Sequence, residues 1–216
     1  MSNLREQNNN NKELPNTGFK IFRGVLGPIF KFYYHPTIIN KEVIPKDGPL
    51  LICANHKHLY DQCGIIISTK RIIHYMAKKE YFDSAKTRWF FKAAGCISVD
   101  RQNHDDTAKN AALNVLNKGG AIGIFPEGTR NKTKEFLLPF KFGAVSMAKK
   151  TGATIVPVGI TGDYVFRSKN LTIRFGEPFK VDDMTLEEAN AKLTEEVGKL
   201  MRKSQMEERK KRRTGK

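Results

Sequence analysis

The stretch PLLICANHKHLYDQCGIIISTK, residues 49–70, decides how this chain folds. Its first part, PLLICAN (49–55), is a short apolar run of the kind that forms a strand buried on both faces. A polar turn follows, and residues 60–70 resume with the pattern of a helix. The alternation continues downstream. IIHYMAK (72–78), GCISVD (95–100), AIGIFPEG (121–128), TIVPVGITG (154–162) and LTIRFGEP (171–178) read as strands. Residues 80–94, 105–118 and 139–151 read as helices, and 185–213 predict a long terminal helix. Thr185 and Glu188 stand at capping-box spacing at the start of that helix. Strands alternating with helices predict an α/β fold with a central mixed, largely parallel sheet flanked by helices.

The chain has 216 residues, enough for one such domain with a helical appendage. A hydrophobic fraction of 39% with 28% charged residues excludes a disordered chain and a multi-pass membrane protein. The 38 Lys and Arg outnumber the 22 Asp and Glu, giving a net charge of +16. Such a surplus calls for polyanionic company: nucleic acid, an anionic membrane surface or phosphorylated substrates. Against nucleic acid, the basic residues are spread along the chain apart from the tail, and neither an RNA-binding aromatic block nor zinc-finger spacing occurs. Cys53, Cys63 and Cys96 are too scattered for a disulfide framework and read as buried, reduced thiols of a cytosolic compartment. Met1–Lys12 lacks the apolar core of a signal peptide, and no uncharged apolar run reaches the roughly 18 residues of a membrane span.

Four units follow from composition. Residues 1–16 are a polar, poorly ordered leader. Residues 17–40 form an amphipathic, membrane-associating helical segment. In it Phe19, Phe22, Leu26, Ile29, Phe30 and Tyr33 recur at helical intervals, and Lys20, Arg23 and Lys31 supply charge. Gly27-Pro28 should kink or split that helix. Periodicity alone leaves open whether the segment lies in a membrane interface or on its own domain. Residues 41–200 carry the main domain, and 201–216 form a basic tail with eight Lys and Arg, suited to anionic lipid.

Chemistry-bearing residues cluster at predicted strand ends, where open α/β sheets bind ligands. NHKHLYD (55–61) follows the first strand and pairs histidine with a nearby Asp61, the combination of a base and the carboxylate that orients it. For this block alone, a polar turn with a capping Asp is the plainer reading. His58 and Asp61 share a face of a continuous helix, whereas His56 meets Asp61 only if it sits on the turn before the helix. A metal site on His56, His58 and Asp61 would be an unusual ligand set that no other cluster supports. FPEGTR (125–130) ends another strand, with Gly128 for a tight turn and Arg130 as a planar phosphate donor. Arg101 ends a third strand and Lys141 follows Pro139; three cations could converge on one anion.

Together, NHKHLYD, GCISVDR, FPEGTR and IVPVGI (155–160) resemble the four ordered blocks of the glycerolipid acyltransferases, over about residues 20–180. HYMAKKEYF (74–82) and FKFGA (140–144) are similar to sequences of the bacterial 1-acyl-sn-glycerol-3-phosphate acyltransferases. The resemblance implies that fold and the transfer of an acyl group to the sn-2 hydroxyl of lysophosphatidic acid, giving phosphatidic acid. The donor would be acyl-CoA or acyl-carrier protein, with no cofactor and no metal. His56 would be the general base and Asp61 its orienting partner. Glu127, Gly128, Thr129 and Arg130, with Arg101 and Lys141, would bind the acceptor's phosphate. Glycerol-3-phosphate, another lysophospholipid or an ornithine-type lysolipid remain alternative acceptors. The sequence does not identify the oxyanion donors; backbone N–H groups after the His56 turn are one candidate. His58 stands where many relatives have Ser and keeps a minor claim as the base. The setting implied is peripheral, on an anionic membrane surface at the cytoplasmic face of the cell membrane.

Overall fold

The computed structural model describes residues 17–100 and 106–214. It opens with helix α1 (Thr17–Ile21), a π-helical turn (Phe22–Leu26) and helix α2 (Gly27–Tyr34). Strand β1 (Thr37–Ile39), strand β2 (Leu50–Ala54), helix α3 (Asp61–Ile66) and strand β3 (Ile73–Lys78) follow. Next come α4 (Glu80–Asp83), α5 (Ala85–Ala93), β4 (Ile97–Val99), α6 (Asp106–Asn117) and β5 (Ala121–Ile124). The chain closes with α7 (Gly143–Thr151), β6 (Thr154–Thr161), β7 (Thr172–Phe175) and α8 (Leu186–Thr214).

The seven strands form one sheet in the order β1-β7-β6-β2-β5-β3-β4. The pairs β6–β2, β2–β5, β5–β3 and β3–β4 are parallel. β7 runs antiparallel to β6, and β1 runs parallel to β7. The mixed, largely parallel sheet is therefore as the sequence predicts. β2 lies at its centre with all five residues buried. Leu51 and Cys53 face the layer built from α6, α7 and α8, among Leu116, Ala144 and Leu193. Leu50, Ile52 and Ala54 face the opposite layer, with Phe19, Phe30 and Ile65.

Helix α8 is drawn tightly onto the sheet. A Cβ at Gly159 of β6 would lie 2.8 Å from the Met201 backbone nitrogen, so only glycine admits this approach. The predicted capping box forms, with Thr185 N–H donating to Glu188 at 2.8 Å and Glu188 N–H to Thr185 Oγ1 at 3.2 Å. Buried Arg174 of β7 bonds Ser204 at 3.0 Å and pairs with Glu207.

Three boundaries differ from expectation. β1 lies inside the segment assigned to a membrane interface; three residues behind a proline are too short a run to read as a strand. The stripe of residues 17–34 divides between two sides. Phe19 and Phe30 are buried in the domain, while Leu26, Ile29 and Tyr33 are exposed beside Ile21, Val25 and Phe32. The π-helical turn accounts for this, because its wider winding shifts the helical phase before α2 starts. At Gly27-Pro28 the winding changes from π to α without a break in the helix, and Pro28 stands in the first turn of α2. Finally, α8 is the long helix expected over 185–213, but with Met201 and Ser204 buried its basic end continues a domain helix and is not a separate unit from residue 201. The leader 1–16 and Arg101 lie outside the described residues. Among the described residues, no helix is long and apolar enough to cross a membrane.

Candidate active site

The site is assembled where β2 leaves the sheet. Asn55 fixes that exit: its Nδ2 donates to Ile160 O at 3.0 Å and its Oδ1 accepts from Ile160 N–H at 2.7 Å. The carboxamide thus extends β2–β6 pairing beyond Ala54, the last paired residue of β2. Residues 56–60 are then free to form a turn, and α3 begins at Asp61.

That turn decides between the two histidines. His56 Nδ1 lies 2.8 Å from Asp61 Oδ2. An ionised carboxylate only accepts, so the Nδ1 proton points to Asp61 and the Nε2 lone pair is left for substrate. His58 offers Asp61 its backbone instead, donating N–H to Oδ2 at 2.7 Å. The His58 ring accepts from Tyr60 N–H at 3.3 Å and stacks on Tyr164 at 4.3 Å. Burial lowers its pKa, so it is a neutral, packed ring. Asp61 is fully buried and heavily bonded: Oδ2 also accepts from Lys57 N–H at 2.7 Å, and Oδ1 accepts from Tyr164 Oη at 2.7 Å. Burial and the adjacent Asp61 push the Tyr164 phenol far above its usual range, so it remains a donor.

The N–H groups of Lys57 and His58, within the turn itself, both point at Asp61 and are committed to its carboxylate.

FPEGTR supplies the wall beside His56. Phe125 stacks on the His56 ring at 4.0 Å and 13°, holding its plane. Glu127 is buried, with Oε1 accepting from His56 N–H at 2.6 Å and Oε2 from Leu138 N–H at 3.0 Å. Burial raises its pKa, opposed by those two bonds. Both carboxylate oxygens are thus committed to backbone, and Glu127 braces the His56 turn. Asn131 N–H closes the same brace on His56 O at 2.7 Å. Gly128 adopts φ +72°, and a Cβ there would meet Lys141 Cε at 2.9 Å and Nζ at 3.0 Å. The glycine therefore makes room for the Lys141 amine, whose own backbone N–H is tied to Pro126 O at 2.8 Å. Lys141, expected inside a helix over 139–151, lies in the loop before α7, which starts only at Gly143. Thr129 and Arg130 are exposed, and the positive field of Arg130 reaches His58. The His56–Asp61 pair and two cations, Arg130 and Lys141, therefore share this end of the sheet.

Asn55 as a sheet clamp and Tyr164 as a donor to Asp61 have no counterpart in the sequence reading. Tyr164 is 103 residues from Asp61, and nothing local marks it. The cysteines are free thiols, Cys53 raised far by burial, Cys63 raised to about 12 and Cys96 to about 11, and so stay protonated. Among the described residues, no three His, Cys, Asp or Glu side chains converge as a metal site requires. A cleft of about 470 Å³ lined by Lys46, Arg71, His74 and Lys118 opens at the opposite end of the sheet. Its Arg71 guanidinium is already bonded to the carbonyls of Pro45, Gly48 and Gly119.

The family model described as Acyltransferase matches residues 35–161. The chain is 32% identical over 152 residues to the 1-acyl-sn-glycerol-3-phosphate acyltransferase of Bacillus subtilis, covering 68% of this chain and 74% of that one. It is 28% identical over 159 residues to the same-named protein of Streptococcus pneumoniae, covering 70% of this chain and 57% of that one. Its fold is similar to the crystal structure of the 1-acyl-sn-glycerophosphate (LPA) acyltransferase PlsC from Thermotoga maritima. That match has a TM-score of 0.72 and 23% identity, and covers 88% of this chain and 79% of that one.

Proposed function

The chain belongs to the acyltransferase family, and on that premise we propose that it acylates the sn-2 hydroxyl of 1-acyl-sn-glycerol-3-phosphate, giving phosphatidic acid. The observation that carries the mechanism is the His56–Asp61 pair at 2.8 Å with Nε2 unpaired by it. A glycerol hydroxyl is a poor nucleophile at neutral pH, and a positioned base is worth about 10²–10⁴-fold. His56 Nε2 takes the hydroxyl proton as the oxygen bonds to the thioester carbonyl carbon. The tetrahedral intermediate collapses, the C–S bond breaks, and the departing thiolate recovers the proton from His56. Asp61 stabilises the imidazolium between those steps, and its donors from Lys57, His58 and Tyr164 hold it in place.

Arg130 and Lys141 supply the charge for the acceptor's phosphate, with Arg101 as a third cation. The donor is acyl-CoA or acyl-carrier protein, and no metal or cofactor is required by this scheme. The acceptor is an amphiphile, and the exposed side of α1–α2 carries Ile21, Val25, Leu26, Ile29, Phe32 and Tyr33. That side supports peripheral attachment to an anionic membrane surface, at the cytoplasmic face of the cell membrane.

The test is thiol release from palmitoyl-CoA, and separately from acyl-carrier protein, with lysophosphatidic acid in anionic vesicles. Turnover should require the acceptor, vanish in His56→Ala and survive in His58→Ala. Activity that survives in His56→Ala and is lost in His58→Ala overturns the assignment of the base. Turnover with other lysolipids only overturns the acceptor.

A further inference from the structure

Helix α5 has nine residues and buries none of them. It lies against α1 on the side of the sheet covered by Phe19 and Phe30. Its outward stripe, Ala85, Arg88, Trp89 and Lys92, follows helical spacing, with exposed Lys86 beside it. Trp89 is 68% exposed, the largest such value for a big apolar side chain among the described residues. Between residues 78 and 92 five Lys and Arg stand against Glu80 and Asp83.

The hairpin is built to present this stripe rigidly. Tyr81 of α4 stacks on Phe91 of α5 at 4.7 Å and 6°. Arg88 Nε donates to Phe82 O at 2.6 Å and its NH2 to Asp83 O at 3.0 Å, closing the end of α4. An indole left in water beside cations suits the headgroup layer of a bilayer, where its ring is sheltered and its N–H stays wet. Lys and Arg near that layer are drawn to anionic lipid.

We infer that the α4–α5 hairpin is a second lipid-contacting site, continuous with the exposed apolar side of α1–α2, and that its partner is an anionic bilayer. The inference rests on the membrane attachment proposed above and adds a separate element to it. One contact leaves the domain free to pivot on the surface. Two contacts on neighbouring helices fix the angle at which the carboxyl end of β2, with His56, meets the bilayer holding the acceptor.

Trp89 is the chain's single tryptophan, so tryptophan fluorescence, excited where the six tyrosines do not absorb, reports this site alone. The protein is titrated with phosphatidylglycerol–phosphatidylcholine vesicles while sedimentation measures binding in parallel. Trp89 emission should shift to shorter wavelength and be quenched by lipids brominated near the glycerol end. Trp89→Ala should weaken partition about tenfold, by loss of the buried ring. Lys86→Gln and Lys92→Gln should each cost about fivefold, an effect erased by high salt. Turnover on detergent-dispersed acceptor should be unchanged in all three. Vesicle binding with an unresponsive Trp89 overturns the second site and leaves α1–α2 attachment standing. No sedimentation with vesicles overturns both membrane statements, whatever the turnover in detergent. A Trp89 response to acidic acyl-carrier protein and none to vesicles makes this face a protein site and also overturns the inference.

Discussion

Replacing Glu127 by Gln tests the most consequential difference between the motif and the geometry. The resemblance places Glu127 among the phosphate-binding residues, but its two oxygens are held by the N–H groups of His56 at 2.6 Å and Leu138 at 3.0 Å. Glutamine has one acceptor oxygen and one NH2 donor. Whichever way the amide turns, one of those N–H groups faces a donor. A hydrogen bond to a charged group contributes about 1.5–3 kcal/mol, and a stranded buried donor costs about 1–3 kcal/mol. The net loss should be about 3 kcal/mol, which for a domain of this size lowers Tm by roughly 6–12 °C. The His56 turn loosens, and a displacement of about 1 Å at a reacting group can cost about 10²-fold in rate. The expected result is a kcat reduced about 10–100-fold. Removing a negative charge beside the cations can only help a phosphate dianion, so the acceptor KM should be unchanged or lower. The assays are calorimetric melting and steady-state kinetics with lysophosphatidic acid varied. A raised KM with unchanged kcat and unchanged Tm would refute the bracing role and return Glu127 to the acceptor site.

Three further outcomes are expected. Tyr164→Phe deletes the 2.7 Å bond to Asp61 Oδ1 and should lower kcat about 10–100-fold, as the roughly 1.5–3 kcal/mol of a charged bond implies; kcat equal to that of the native chain would mean the other donors hold Asp61 unaided. Gly159→Ala forces a Cβ to 2.8 Å from the α8 backbone and should cost about 1–3 kcal/mol in urea unfolding, so an unchanged midpoint would contradict the close approach. His74 is buried with Nδ1 2.8 Å from Gly95 O, and burial lowers its pKa. The unfolded chain then binds this proton more readily than the folded one. The neutral ring's stability is complete above the ordinary value of about 6.5 and is lost as pH falls below it, at up to about 1.4 kcal/mol per pH unit. His74→Gln should flatten that decline between pH 7.5 and 5, and parallel pH slopes for the two proteins would refute it.

Much of the fold was readable because parallel strands, buried on both faces, appear as unbroken apolar runs such as PLLICAN and TIVPVGIT. What escaped depended on partners far along the chain. β1 is three residues long and exists because β7 offers it an edge. The reversal of β7 against β6 leaves no trace in composition. The exposed half of the 17–34 stripe follows from a π-helical turn whose extra residue no 3.6-residue pattern anticipates.

The site divides along the same line. His56, Asp61, Gly128 and Arg130 were visible because they fall in the turns after strand ends, and Lys141 because it follows Pro139 at an expected helix start. Spacing alone could not choose between His56 and His58, since either meets Asp61 under some local structure. Asn55 makes that choice. By bonding both backbone groups of Ile160, it ends β2 at a fixed point and forces residues 56–60 into a turn instead of the first turn of α3. A continuous helix would have brought the His58 ring over Asp61. The turn aims the His58 N–H there instead and leaves the carboxylate to His56. Which histidine pairs with Asp61 is therefore set by a clamp to a strand 105 residues away, a contact that only the assembled sheet contains.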